Sequence, residues 1–77
     1  MKRFTVRASW DPDAQVWWGT NDELPLTTEA PSFDGLVARV MEIAPEMAVQ
    51  NGHAETGEEV EIHVTGERIQ SARARAA

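Results

Sequence analysis

Four carboxylates, Asp11, Asp13, Asp22 and Glu23, and two imidazoles, His53 and His63, are the first places to look for acid–base or metal chemistry in these 77 residues. Paired acid–base work needs carboxyl groups roughly 5–10 Å apart. Asp11-Pro12-Asp13-Ala14 and Asp22-Glu23 both read as turns. A strand of about seven residues between them sets the two groups ~20 Å apart. Asp11 and Asp13 form a local pair, and turn chemistry accounts for both, since a short carboxylate bonds its own backbone at a corner. His53 falls in a polar loop and His63 on the polar side of a strand, with no cysteine or spaced carboxylate to complete a metal shell. Ser9, Ser32 and Ser71 lack a G-x-S-x-G setting. No glycine-rich loop leads from a strand into a helix to hold a phosphate. The expectation is no catalytic, metal or cofactor site; any activity should lie in a surface.

The elements that would build that surface follow from periodicity. Residues 3–10, RFTVRASW, alternate strictly, with Phe4, Val6, Ala8 and Trp10 against Arg3, Thr5, Arg7 and Ser9, as in a half-buried strand. AQVWWGTN reads as the returning strand of a hairpin, and Leu24 to Ala30 as a third strand with Pro25 near its start. Ser32 caps a helix whose first turn carries Asp34. Phe33, Leu36, Val37, Val40, Ile43, Ala44 and Met47 give that helix a wide apolar face. Pro45 should kink or divide it, and Asn51-Gly52 should stop it. Val60, Ile62 and Val64 alternate with Glu59, Glu61 and His63 in a fourth strand. The expected fold class is α+β: a β-β-β-α-β meander, an antiparallel sheet with one face covered by a single kinked helix. One domain should span 1–69, with 70–77 a tail fraying into solvent.

One helix covers one face, and this makes Trp17 and Trp18 informative. Neighbouring strand residues point to opposite faces, so the two rings cannot share a core. If apolar residues pair across the hairpin, Val16 and Trp18 join the helix side, and Trp17 lies outward with Gly19, Thr5 and Arg7. A slip of one residue exchanges the tryptophans. An outward tryptophan on a flat sheet is a typical interface anchor. The expected interface is therefore Trp17, Gly19, Thr5 and Arg7, with Asp22 and Glu23 at its rim, and the simplest partner is a second copy of the chain.

Charge narrows the partner class. Between residues 8 and 67 lie all 13 acidic residues and one base, Arg39, a balance of −12. Such a body repels phosphate backbones and suits a basic protein, although a solvated acidic surface also simply aids solubility. The helix has the wrong charge for anionic lipid, and no apolar run reaches the ~18 residues of a membrane span. The absence of cysteine and of a leader-like start fits a cytoplasmic protein.

The segment FTVRASWDPDAQVWWGTNDELPLTTEAPSFDGLVARV resembles a group of small bacterial domains of unknown function, the 1902 type, related to HicB-like antitoxins. Trp10-Asp11, Val16-Trp17, Thr20, Asp22, Leu24-Pro25, Leu26, Glu29-Ala30 and Ser32 carry the likeness, over roughly residues 4–50. The chain departs from the pattern in lacking a glycine between Pro25 and Leu26, and in having Gly35 where a helix-favouring acidic residue is usual, which costs about 1 kcal/mol of propensity. The resemblance implies a degenerate RNase H-like domain that binds a partner: in HicB-type systems, a small, basic, RNA-cleaving toxin. The ten or so residues after the fourth strand are too few for a DNA-binding module, so no direct DNA binding is expected. The leading expectation is a non-enzymatic, homodimeric, antitoxin-like protein-binding domain. The alternatives are a stand-alone accessory or ligand-sensing homodimer without a toxin, and a small hydrolase.

Overall fold

The computed structural model describes residues 1–76; Ala77, the last residue of the expected tail, lies outside the described residues. Strands β1 (Lys2–Asp11), β2 (Val16–Asn21) and β3 (Leu26–Ala30) precede helix α1 (Phe33–Gln50), and β4 (Val60–Glu67) follows it. The fold class is the one read from the sequence, α+β in the order β-β-β-α-β. The sheet order is β3-β2-β1-β4. The first three strands form an antiparallel meander, whereas β4 pairs parallel to β1, so the sheet is mixed. The helix is the cause. Crossing the sheet, it returns the chain to the end where β3 began, so β4 runs with β3 and hence with β1.

Both hairpin turns hold four residues, Pro12–Gln15 and Asp22–Pro25. Gln15 takes the left-handed conformation at φ 58° that closes the first one. An even turn pairs even-numbered residues with odd ones, and this decides which side chains face the helix. Phe4, Val6, Ala8 and Trp10 stand in register with Trp17, Gly19 and, by extension, Asn21 on one face. Trp17 and Asn21 stand in turn beside Ala30 and Leu26.

The helix begins at Ser32, whose backbone is extended and whose hydroxyl accepts from the Gly35 N–H at 3.0 Å. A Cβ at residue 35 would meet that hydroxyl at 2.9 Å, so glycine gives up helix propensity and lets the cap close. Leu36, Val40, Ala44 and Ala48 form the buried stripe, packed on Phe4, Val6, Ala8, Leu24, Leu26 and Ala30. The helix runs as one element through Pro45. The carbonyl that loses its partner there belongs to Met41, on the exposed side of the helix.

Candidate functional site: the uncovered sheet face

The helix-facing half of β2 explains why the tryptophans are placed opposite to expectation. Gly19 lies beneath the helix, where a Cβ would meet Val6 Cγ1 at 3.0 Å and Leu36 Cδ2 at 3.3 Å. Residue 19 must be the small one, so residues 17 and 21 share its face and residue 18 takes the other. Trp17 is half-buried, edge-on to Phe33 at 5.3 Å and tilted against Trp10 at 5.7 Å. Trp18 points away from the helix and is 41% exposed. Of the expected interface residues, Trp17 and Gly19 thus belong to the core side. The even turn sets Trp17, rather than Trp18, beside Trp10, so the apolar pair across the hairpin is Trp10 with Trp17.

The other four expected residues, Thr5, Arg7, Asp22 and Glu23, do come together. With Arg3 and Thr20 they line an open groove of about 540 Å³ on the uncovered face. The register fills in the rest. Across the sheet, Thr27, Thr20, Arg7 and Thr65 form one row, and Glu29, Trp18, Ser9 and Glu67 form another. Trp18 therefore sits on an inner strand, ringed by hydroxyls and charges.

At the β4 side, Arg3 stands beside Glu61 and Thr5 beside His63. The His63 Nε2 lies 2.7 Å from a Glu61 carboxylate oxygen, and Arg3 Nε lies 3.7 Å from the other. The hydrogen bond with His63 is the main reason that the Glu61 carboxyl titrates below its ordinary range; Arg3 adds to the effect. These three residues are functional-surface candidates that strand periodicity did not reveal. Their signal lies in the β1–β4 register, which depends on the helix crossover.

Of the groups considered for chemistry, Asp11 and His53 are held in local structural contacts. One Asp11 carboxylate oxygen accepts from the N–H groups of Asp13 and Ala14. His53 Nε2 lies 2.9 Å from the Glu23 carbonyl, and its ring packs edge-on against Phe4. Asn51 Nδ2 donates to the carbonyls of Leu24 and Met47, tying the second turn to the helix end. Among the described residues no three His, Cys, Asp or Glu side chains cluster as metal ligands, and no helix is long and apolar enough to cross a membrane.

Comparison with known proteins agrees with the fold and assigns no activity. A domain of unknown function (DUF1902) matches residues 3–76. The crystal structure of hypothetical protein TTHA1013 from the extremely thermophilic bacterium Thermus thermophilus superposes with a TM-score of 0.75 at 32% identity, covering 92% of this chain and 100% of that one. A search of curated proteins returned no match.

Proposed function

The chain belongs to the DUF1902 family, whose description carries no function, and from that premise we propose a non-enzymatic, homodimeric, HicB-antitoxin-like domain that binds a small basic protein on its uncovered sheet face. Trp18 is the observation that carries this reading. It is a large ring, 41% exposed, on an inner strand of a sheet face that no other element of the described chain covers. Tryptophan on such a surface supplies much contact area at low conformational cost, and a polar surround of Thr20, Arg7 and Glu29 supplies the rim. Glu29, Glu61 and Glu67 lie on this face, with Asp22 and Glu23 at its groove, and they supply charge that attracts a basic partner. A small RNA-cleaving toxin of the HicB-associated kind has that chemistry.

The test is co-purification with the product of a small basic neighbouring reading frame, using wild type and Trp18→Ala. Binding by the wild type, weakened at least tenfold in Trp18→Ala with folding intact, is the expected result. Equal binding by both proteins, or growth arrest relieved no better with this chain than without it, would overturn the reading. A second reading, ligand sensing, draws on one observation: an open groove of about 770 Å³ beside Trp10, over which the Arg68 guanidinium sits 4.1 Å from the ring centre.

A further inference from the structure

The two edges of the sheet are unequal. β3, at one edge, is five residues long, with Pro25 immediately before it and Pro31 immediately after. Short length and flanking prolines are the usual protections of an edge against pairing with another chain. β4, at the other edge, is eight residues long, contains no proline or lysine, and has β-branched residues at 60, 62, 64 and 65. Its apolar row of Val60, Ile62 and Val64 is only half-buried, because the buried stripe of the helix lies over the meander. Such an edge is built to be paired.

We infer that a second copy of this chain pairs antiparallel along β4, making a continuous eight-stranded sheet with both helices on one side. This locates the self-association of the proposed function and leaves the Trp18 face free for the other partner. Symmetry restricts the register. Directly opposed residues of an antiparallel pair share a face. A two-fold axis through the sheet also keeps the helix faces of the two copies level. The axis must therefore pass through a residue rather than between two.

Placed at His63, the axis pairs Ile62 with Val64 of the second copy, Glu61 with Thr65 and Val60 with Gly66, using seven of the eight strand residues. Placed at Val64, it sets Glu61 against Glu67 twice. Placed at Ile62, it pairs only residues 60–64. His63 is the register that charge and length favour together.

The segment after β4 supports the same arrangement. Residues 68–76 form no helix or strand and carry Arg68, Arg73 and Arg75 with no acid. Continued past the end of the paired strands, this segment meets the residues that precede β4 in the second copy, and those include Glu55, Glu58 and Glu59. The register sets Arg68 opposite Glu58. The like-charged meeting of Glu67 with Glu59 also occurs twice, but outside the paired residues 60–66 and next to Arg68.

The chain has no cysteine, so single-cysteine variants give a direct test. Opposed antiparallel residues have Cα atoms about 4.5–5.5 Å apart, inside the range a disulfide spans. Wild type should have twice the monomer mass of 8.5 kDa by light scattering. Under a mild oxidant, most of His63→Cys should become covalent dimer, while Trp18→Cys should stay monomeric on a non-reducing gel. Glu55→Lys with Glu58→Lys should loosen the dimer at least tenfold without altering the fold by circular dichroism. A monomeric wild type, cross-linking through Trp18→Cys, or His63→Cys no more cross-linked than Trp18→Cys would overturn the inference. Partner binding by Trp18→Ala is read separately, so failure of the edge pairing and failure of the proposed function are distinguishable.

Discussion

At the residue scale, Asn21 shows how one side chain sets a turn. It is the buried polar residue at the end of β2; its Nδ2 donates to the Thr5 carbonyl at 2.7 Å, and its Oδ1 accepts from the Leu24 N–H at 2.9 Å. Leu24 is fully buried, so its N–H has no recourse to water. Asn21→Ala leaves both backbone groups unsatisfied and is expected to cost about 2–3 kcal/mol in urea unfolding. Gly66 makes a steric counterpart: a Cβ there would meet Phe33 Cε2 at 2.8 Å and Trp17 Cζ3 at 3.1 Å. Gly66→Ala should destabilise by about 1–3 kcal/mol through overpacking. Glu61 adds a pH effect of defined sign. Its folded pKa is depressed, chiefly by the His63 contact. Any stability this contributes is present above the ordinary carboxylate range and is lost as pH falls through the folded value. His63→Ala should move the Glu61 titration, followed by NMR, upward toward the ordinary range.

At the scale of elements, what the sequence revealed depended on whether one face alone was apolar. Strict alternation placed β1 and the polar side of β4, and the helical spacing placed α1 with its cap at Ser32. β2 resisted, because Trp17 and Trp18 give it an aromatic on each face. Its orientation came from the length of a turn and the room under Leu36, neither of which periodicity contains. The same limit hid the Arg3–Glu61–His63 group, since it depends on a parallel pairing between strands 58 residues apart. The exchange of the tryptophans has a measurable consequence. Trp17→Ala removes contacts to Phe33 and Trp10 and should cost about 3 kcal/mol, while Trp18→Ala should change stability by less than about 1 kcal/mol. Pro45 is an element-level cost of another kind, since the helix continues through it. Pro45→Ala restores a donor to the Met41 carbonyl and should raise stability by about 1–3 kcal/mol, with helicity unchanged.

At the scale of the whole molecule, charge and shape act on different steps of association. The −12 balance between residues 8 and 67 is spread over strands, turns, helix and loop, whereas the apolar anchor is one ring on the uncovered face. A diffuse field of this kind draws a basic partner in from a distance and so raises the association rate; a desolvated anchor acts after contact and slows dissociation. The two contributions should separate experimentally. Between 0.01 M and 1 M salt the screening length falls from about 30 Å to about 3 Å. Over that range the association rate with a small basic partner should fall by at least about tenfold, with dissociation nearly constant. Trp18→Ala should show the reverse, with dissociation accelerated and the salt slope of association preserved. Stopped-flow tryptophan fluorescence measures the salt series, and surface plasmon resonance compares the variant, whose reporter ring is gone. If salt and Trp18→Ala altered the same rate constant, charge and the apolar anchor would not act on separate steps of association.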